Sequence, residues 1–594
     1  MGFKGQLAFA LVLNIVLKLI TFLLNTLLTR QLAPSQNGVS FSFLLYYNTV
    51  LYLARECVRS VNARHNLLDR SGNGSVVLQI INCAFISVPL GILVMIALEL
   101  VSYCGIYLFP SLSALSRING VGSGLPTVEN HNNDNIVGII GIPELLLALS
   151  VVITLTIEPC IALLRSFDYF RFIVASEFWA LMGRLVVTLI FVWSFGDGFS
   201  SDPWIVRMCF AIGNFAYALT TVGYFLWLWN SSSSSDRKAG SCGGVVLLRQ
   251  ARTNAALVVW GGTEGNKPPL SVSASRWCVS LPWSFLSWRV FRASLVGEFA
   301  LMNQFFREST LRLVLAEGER FALVAFGSAA AMGRYDFVAG LGALVARVVF
   351  SVWEGACFAK WSRDAASGKG REAVALLLLM LRVSFYFGAA AVLVGPPLAE
   401  SFLTFAFTRR WATAATVRAL QLYTYVLFLL GWNGLLDAFV RATAAASTLR
   451  RVQAALLLHA ALYVAACFFL LHPAANTSSH IQQEQEHNNN SAERIEYDDP
   501  VVGLLCVTAA SMAMRCFVSL CVLHSAPPQT RVTLRDLTSA VNFRVTVAWV
   551  LLIVFTRLLN AAAVVAIVAT PLFAAAIIAW DPEIRGMCFA AVLG

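Results

Sequence analysis

Long apolar runs separated by polar segments recur along the whole chain. About fourteen of them approach the ~20 residues that a helix needs to cross the hydrocarbon core of a bilayer. They cover residues 7–28, 38–58, 77–104, 136–163, 171–195, 204–229, 310–332, 336–360, 373–394, 415–438, 452–471, 499–523, 543–558 and 561–580. Helices are predicted, because an open sheet would leave backbone groups unpaired in lipid and barrel strands would alternate apolar with polar residues.

Composition supports the same class of protein. The 594 residues are 58% hydrophobic and only 13% charged, and the mean hydropathy is +0.71, whereas soluble domains carry about 25% charged residues. We therefore predict an all-α, polytopic membrane protein. No small-residue cleavage site follows the first run, so it is interpreted as a retained span. The 13 cysteines show no metal-binding spacing and are expected to be buried free thiols.

A long polar insert divides the runs into six and eight. It opens with SSSSSDRKAGSCGG, a composition that does not form a packed core, and its later aromatic and basic part suits a membrane surface. The predicted organisation is an N-terminal lobe at 1–230, a basic, Ser-rich cytosolic insert at 231–298 and a C-terminal lobe at 299–594.

The polar loops alternate in charge. Every second loop is rich in arginine or lysine, and the loops between them are acidic or polar, apart from a basic ninth loop around Arg409. By the positive-inside rule, both termini are predicted to be cytosolic. Three glycosylation sequons occur, at Asn73, Asn230 and Asn476. Only Asn476 lies in a predicted lumenal loop, so it is the expected acceptor.

The first run contains a lysine near its middle. Lys18 shares a helix face with Asn25, seven residues later, and the run ends at Arg30. A charge at this depth costs about 2.5–3.5 kcal/mol by insertion scales. We therefore expect Lys18 to face a polar cavity, in preference to reaching the interface or pairing with a glutamate.

Two arginines, Arg55 and Arg59, lie four residues apart at the end of the second run and share one helix face. Two interpretations stay open for them: anion binding in a cavity, or ordinary anchoring of a cytosolic basic loop. Glu56, between them, is able to pair with a neighbouring helix. By the same spacing, Asp437 and Arg441 are expected to form a structural ion pair.

Other charges lie inside predicted spans. Glu158 precedes Pro159, and a proline bends a membrane helix and frees a carbonyl, so Glu158 is predicted to have a gating or pairing role. Arg347 and Glu354 share a face, and Arg347 is expected to face a cavity or to be paired. Further gating or pairing residues are expected near the start of the second lobe: Glu317, Glu319, Arg320 and Asp336.

Motifs of known chemistry are missing from the sequence. No G-x-x-x-x-G-K-[ST] loop occurs, so no Walker-type ATP hydrolysis is expected. No hydrolase, zinc-protease or dinucleotide motif occurs in a suitable context, so we predict a protein that is not an enzyme, without metal or cofactor. A nucleic acid partner is not predicted. Arginine matches phosphate bidentately, and the inward basic residues therefore favour an anionic ligand such as a lipid diphosphate.

Five stretches resemble the Rft-type family. They are KLITFLLNTLLTR (18–30), LYLARECVRS (51–60), LSVVITLTIEPCIALL (149–164), LAEGERFALV (315–324) and RYDFVAGLGALVARVVFSVWE (334–354). The resemblance covers most of the chain except the 231–295 insert and the 472–498 loop. Members of this family are endoplasmic reticulum proteins linked to translocation of the dolichol-diphosphate oligomannose intermediate of N-glycosylation.

The resemblance implies membership of the multidrug/oligosaccharidyl-lipid/polysaccharide exporter superfamily, with two lobes around a central cavity and alternating access. It also implies function at the family's motif positions, which here are Lys18, Arg30, Arg55, Glu56, Arg59, Glu158, Glu317, Glu319, Arg320, Asp336, Arg347 and Glu354. We expect flipping of a dolichol-diphosphate-linked oligosaccharide by a monomer surrounded by membrane lipids. Two alternatives stay open: a non-transporting accessory of the same pathway and a cation-coupled exporter of small molecules.

Overall fold

The computed structural model describes residues 20–62, 74–104, 111–112, 115, 141–166, 170–195, 202–234, 286–345, 349–444, 446–484, 500–558, 562–582 and 584. Within these ranges, the regular secondary structure is helical and contains no strand. The predicted all-α fold class is thereby confirmed.

Eight helical segments of the described chain are long and apolar enough to cross a membrane. They are Leu78–Tyr103, Ile142–Arg165, Phe172–Phe195, Pro203–Leu228, Gly370–Phe407, Ala414–Thr443, Arg451–Leu470 and Pro500–His524. Two shorter apolar helices lie at Phe543–Thr556 and Val568–Trp580. The total of fourteen spans stays a prediction.

Two compact units make up the chain. The first comprises residues 1–31 and 39–325, and the second comprises residues 32–38 and 326–594. The predicted lobe boundaries at 230/231 and 298/299 stay a prediction, and residues 235–285 of the insert lie outside the described part of the chain.

The helices of the first unit are α1 (Pro34–Asn62, whose first turn belongs to the second unit), α2 (Gly74–Phe85), α3 (Ser87–Tyr103), α4 (Ile142–Leu155), α5 (Glu158–Ser166), α6 (Phe170–Phe195), α7 (Pro203–Ser234) and α8 (Trp288–Phe326). Helix α7 packs against α4 and α6, and α2 packs against α5. A core of large apolar side chains, including Ile80, Leu164 and Phe225, joins α2, α5 and α7.

The predicted bend at Pro159 is present. Helix α4 ends at Leu155 and α5 begins at Glu158, with a turn at Thr156 and Ile157 between them. The reason is local, because proline has no N–H to donate to the carbonyl four residues earlier.

Helix α8 differs from the predicted seventh span at 310–332. It begins 22 residues earlier, at Trp288, and ends at Phe326, before Gly327 and Ser328, which are not helical. Apolar residues of its first half pack on α1 and α2, among them Met302, which shares one core cluster with Cys57, Val58 and Cys83. This packing stabilises a helix in a stretch that carries many charges. Because of those charges, the search for long apolar runs did not predict it.

The second unit contains α9 (Ala329–Val345), α10 (Ser351–Ala366), α11 (Gly370–Phe407), α12 (Ala414–Thr443), α13 (Ala446–Glu484), α14 (Pro500–His524), α15 (Leu534–Ala540), α16 (Phe543–Leu558) and α17 (Ala562–Trp580). Helix α12 is central, since it packs against α9, α10, α11 and α14. Its Phe439 meets the fully buried Trp361 edge-to-face, with ring centroids 5.2 Å apart.

Residues 32–38 pack closely within the second unit. The Asn37 amide donates to the Gly333 carbonyl at 3.1 Å and to Asp336 Oδ2 at 3.4 Å. An added Cβ on Gly333 would lie 1.7 Å from the Pro34 carbonyl oxygen, so only glycine permits this approach of two backbones.

The expectation of buried free thiols holds for most described cysteines. Ten of them are free, and seven of these ten are buried. Cys104, Cys506 and Cys521 are the exposed ones, so the described cysteines supply packing more than chemistry.

Candidate anion-binding site

The second half of α1 carries one polar stripe on an otherwise buried helix. Between residues 45 and 62, the partly or fully accessible residues are Asn48, Tyr52, Arg55, Glu56, Arg59 and Ser60, and every other residue is buried. Their spacing of three or four residues places them on one side of the helix. A membrane helix that is accessible only along a polar stripe is typical of a helix that faces a watery cavity.

Two arginines of this stripe converge on one carboxylate. Arg59 donates from Nε to Glu158 Oε1 and from Nη2 to Oε2, the latter at 3.0 Å. Arg55 Nε lies 3.0 Å from Oε2, without the alignment of a hydrogen bond. The Glu158 side chain is 0% exposed, and the two arginine side chains are 14% and 19% exposed. This arrangement is a buried ion cluster with a bidentate fork.

The break between α4 and α5 supplies the rest of the site. The Thr154 carbonyl, in the last turn of α4, accepts a hydrogen bond from Arg55 Nη2 at 3.0 Å. The Thr154 hydroxyl lies 2.6 Å from the Tyr47 hydroxyl, and Tyr47 packs edge-to-face on Tyr217 of α7. The Thr154 carbonyl therefore holds Arg55, and the contacts of Tyr47 with Thr154 and Tyr217 join α1, α4 and α7 beside it.

The charges of this cluster do not balance. Two guanidinium groups share one carboxylate, so one positive charge among the three residues has no countercharge within the cluster. Outside the three residues, the charges of Glu56 and Glu177 also act on Arg59, and the two partly exposed guanidinium groups keep N–H groups that are able to bind a further anion. Because guanidinium donors match phosphate oxygens in pairs, the cluster is suited to a phosphate or diphosphate group.

Several predicted site residues fall elsewhere. Lys18 and Arg347 lie outside the described residues, and the side chain of Asn476 is likewise outside them. Arg30 is exposed near the end of a helical segment at residues 20–31, and Glu56 is half-buried on the α1 stripe. Their predicted roles stay predictions.

Other predicted residues have partners of their own. Glu317 and Arg320 form an ion pair on α8, with 2.9 Å between Oε2 and Nη1, and Glu319 lies half-buried between them in sequence. Asp336 bonds to Asn37, as described above. Glu354 of α10 packs against Gly434 of α12.

The structural pair between Asp437 and Arg441 is confirmed. Their Oδ2 and Nε atoms are 3.2 Å apart, and the arginine side chain is 53% exposed.

Sequence reasoning missed two further buried ion pairs. Glu144 of α4 is 0% exposed and pairs with Arg207 of α7, with 3.3 Å between Oε1 and Nη1. Asp581, after α17, pairs with Arg382 of α11 at 3.4 Å and accepts from the Tyr386 hydroxyl at 2.7 Å. Each of these arginines lies within a predicted apolar run, so the cost of a charge in the membrane was the signal that could have identified them.

Metal chemistry finds no support in the described ranges. No group of three or more His, Cys, Asp or Glu side chains there is placed to hold a metal ion.

The described chain is a polytopic, all-helical protein with apolar helices of membrane-spanning length and a cluster of two arginines on one buried glutamate. The family comparison agrees: the family model described as Rft protein matches residues 4–113 and 137–478. The chain therefore belongs to the Rft protein family, and the resemblance noted in the sequence is confirmed.

Curated relatives carry one shared name. The Man(5)GlcNAc(2)-PP-dolichol translocation protein RFT1 of Candida glabrata is 22% identical over 457 residues, covering 73% of this chain and 72% of the relative. The protein of the same name from Mus musculus is 25% identical over 447 residues, covering 72% and 69%. The one from Dictyostelium discoideum is 22% identical over 350 residues, covering 58% and 53%.

Solved structures show the same fold. The lipid II flippase MurJ, in an inward closed conformation, matches with a TM-score of 0.54 at 11% identity and covers 96% of this chain and 98% of its own. An inward-facing MATE family transporter of the MOP superfamily matches with a TM-score of 0.50 at 11% identity, covering 84% and 93%. At this identity the likeness concerns architecture alone.

Proposed function

We propose that this chain moves a dolichol-diphosphate-linked oligosaccharide from the cytosolic to the lumenal leaflet of the endoplasmic reticulum membrane, for protein N-glycosylation. The observation that carries the proposal is the cluster in which Arg55 and Arg59 share the single carboxylate of Glu158. The names of the relatives, which are translocation proteins for such a lipid, supply the substrate class.

The cluster binds the diphosphate by exchange of anions. An arriving diphosphate competes with Glu158 for the two guanidinium groups and offers more oxygen acceptors than one carboxylate. Once displaced, Glu158 is a buried charge without its partners, which is strongly unfavourable. Substrate binding therefore favours a conformation in which the α4–α5 break relaxes and Glu158 makes other contacts. Because the substrate has a higher affinity for this conformation, its binding shifts the population of the protein towards it.

This mechanism needs no nucleotide. Loading replaces one anion by another on the same arginines, so the two guanidinium groups keep an anionic partner throughout. The proposal includes a monomer that is not an enzyme, uses no cofactor, lies in the endoplasmic reticulum membrane and has both termini in the cytosol. Its neighbours are membrane lipids, and it has no nucleic acid partner.

The test measures transport directly. Purified chain is reconstituted in vesicles with a labelled polyprenyl-diphosphate oligosaccharide, and an impermeant reagent reports the fraction in the outer leaflet. The unmodified chain should move the lipid between leaflets without ATP. Arg55→Glu and Arg59→Glu should each abolish movement, because charge reversal turns the cluster from cationic to anionic.

The matched control is Arg371→Glu, a reversal at an exposed arginine in the first turn of α11, which should move the lipid at the parent rate. In parallel, each variant is expressed in cells depleted of their own Rft-family protein, and their lipid-linked oligosaccharide pool is measured. Unchanged transport by the Arg55→Glu/Arg59→Glu double variant would refute the role of the cluster. Rescue of cells by a chain that moves no lipid would replace transport with an accessory function.

A further inference from the structure

The first half of α8 has one exposed face that combines arginines with large apolar side chains. Its exposed residues recur at intervals of three or four, which places them on one side of the helix. They are Trp288, Arg292, Val296, Phe299, Asn303 and Arg307, and Arg289 is exposed beside the first of them. We call these seven residues the α8 strip. The side chains of Trp288, Val296 and Phe299 are 72%, 70% and 59% exposed.

The opposite face of α8 packs against the ends of several membrane-spanning helices. Val290 and Phe291 lie against a core cluster that contains residues at or next to the ends of four candidate spans, namely Leu78, Leu164, Ile173 and Leu228. The Ser287 amide also donates to Asn82 Oδ1 at 2.9 Å, about 6 Å along the helix from Leu78. The start of α8 therefore lies at one boundary of the membrane.

The helix stays beside this boundary over its first half. Met302 shares a core cluster with Val61, in the last turn of α1, and with Cys83 of α2. Val290 and Met302 are separated by about 18 Å of helix, yet both belong with residues near the same ends of the spans. Among the described residues, no candidate span includes this part of α8. The first half of α8 is therefore placed along the membrane surface.

The length of α8 agrees with this placement. The helix has 39 residues and is about 58 Å long, whereas the hydrocarbon core of a bilayer is about 30 Å thick. A surface helix of this kind typically carries basic residues and large apolar or aromatic residues. Tryptophan in particular is enriched at the level of the lipid headgroups, and the Trp288 ring stacks on Phe291 at 5.7 Å between centroids.

The charge of the strip favours an anionic partner. Glu298 is the only acidic residue between positions 286 and 307, and it is half-buried outside the strip. Arg289 and Arg292 are three residues apart, so their side chains are neighbours on the helix surface. Guanidinium groups match phosphate oxygens in pairs. The strip thus offers a pair of phosphate-binding side chains at the depth where phospholipid headgroups lie.

We propose that the α8 strip is a binding site for anionic phospholipids. Arg289 and Arg292 bind the headgroup, and Trp288, Val296 and Phe299 contact the adjoining hydrocarbon. On the predicted topology this is the cytosolic leaflet, whose anionic lipids attract basic residues at the membrane surface. The site is separate from the arginine cluster of α1 and does not depend on the proposed transport function.

The experiment measures binding of phosphatidylserine and phosphatidylcholine with identical acyl chains. Each lipid is titrated into the purified full-length chain in detergent micelles, and native mass spectrometry resolves the lipid-bound species. The two dissociation constants then differ only through the headgroup. The unmodified chain should bind phosphatidylserine about thirtyfold more tightly, from a factor of about five for each of the two arginines.

Arg289→Gln/Arg292→Gln should bind the two phospholipids equally. The matched control is Arg409→Gln/Arg410→Gln, which removes the same charge from two exposed arginines between α11 and α12 and should keep the preference of the parent chain. Both pairs are exposed, so the unfolding temperatures of both variants should equal that of the parent. A third variant, Phe299→Ser, should bind both phospholipids more weakly by the same factor, because the apolar contact does not depend on the headgroup.

Several outcomes would overturn the proposal. They are equal binding of both lipids by the unmodified chain, an unchanged preference in Arg289→Gln/Arg292→Gln, and a preference that is also lost in the control variant. A preference that disappears in Arg55→Gln while the strip is intact would assign the lipid to the α1 cluster. A dimer of the unmodified chain that dissociates in Arg289→Gln/Arg292→Gln, without a change in lipid binding, would assign the strip to a second copy of the chain.

Discussion

Replacing Glu158 with glutamine tests the buried ion cluster most directly. The side chain is fully buried and takes contacts from two arginines, so the substitution leaves two guanidinium groups without a countercharge. Removing one partner of a buried ion pair typically costs 3–5 kcal/mol, about 3 kcal/mol here because the glutamine oxygen still accepts one hydrogen bond. We therefore expect Glu158→Gln to lower the free energy of unfolding by about 3 kcal/mol.

The assay is equilibrium unfolding in mixed micelles titrated with a denaturing detergent, followed by tryptophan fluorescence. Asp437→Asn serves as the matched control, since its ion pair with Arg441 is partly exposed, 24% for the aspartate and 53% for the arginine, and should contribute only about 0–1 kcal/mol. The double variant Arg59→Gln/Glu158→Gln should recover about 1–3 kcal/mol of the loss, because it removes an unpaired charge.

Two results would contradict this reasoning. One is a Glu158→Gln variant within about 0.5 kcal/mol of the parent chain, the range of ordinary surface substitutions. The other is strict additivity in the double variant, which would mean that Arg59 and Glu158 stabilise the unit independently of each other.

Three further predictions concern other parts of the chain. Gly342→Ala should destabilise the second unit by about 1–3 kcal/mol, because the new Cβ would lie 1.8 Å from a tyrosine ring of α12. Gly340 has open space around it, so Gly340→Ala should be neutral or stabilising in the same unfolding assay. Hydrogen bonds with Thr533 lower the pKa of Asp536, and the two residues form a capping box on α15. This capping box should protect the amides of α15 from hydrogen exchange at neutral pH, and the protection should be lost as the pH falls through the lowered pKa. In Asp536→Asn, the protection factors should show no such change with pH. Asn476→Gln should remove any endoglycosidase-sensitive shift in electrophoretic mobility, and a shift that persists would contradict the predicted topology.

The sequence predicted those parts of the fold that depend on apolar length and on proline. The runs at 171–195 and 499–523 agree within a residue or two with α6 and α14, because membrane helices are uniformly apolar along their whole length. The bend beside Pro159 followed from the chemistry of one residue. Helix α8 was misplaced at its start, since its first half is stabilised by packing on α1 and α2 and carries too many charges to form an apolar run.

The candidate site was predictable only in part. The spacing of Arg55 and Arg59 placed them on one face, and the cost of burying Glu158 required a partner. The contact of Arg59 with Glu158, which lie 99 positions apart in the chain, depends on helix packing, which the local pattern does not encode. The hydrogen bond between the Thr154 carbonyl and Arg55 could not be predicted from the sequence. It depends on where α4 ends and on which side chain lies opposite that end.

The bend between α4 and α5 also limits how far this unit can be thermostabilised. Proline has no N–H to donate and would cost about 3 kcal/mol inside a continuous helix, so Pro159 is a target for substitutions meant to join α4 and α5 into one helix. In an unbroken helix, the Thr154 carbonyl would accept a hydrogen bond from the amide four residues later, in competition with Arg55, and Glu158 would turn with the repaired helix. Variants selected for heat resistance at this position should therefore lose substrate handling, an instance of the trade-off between stability and activity.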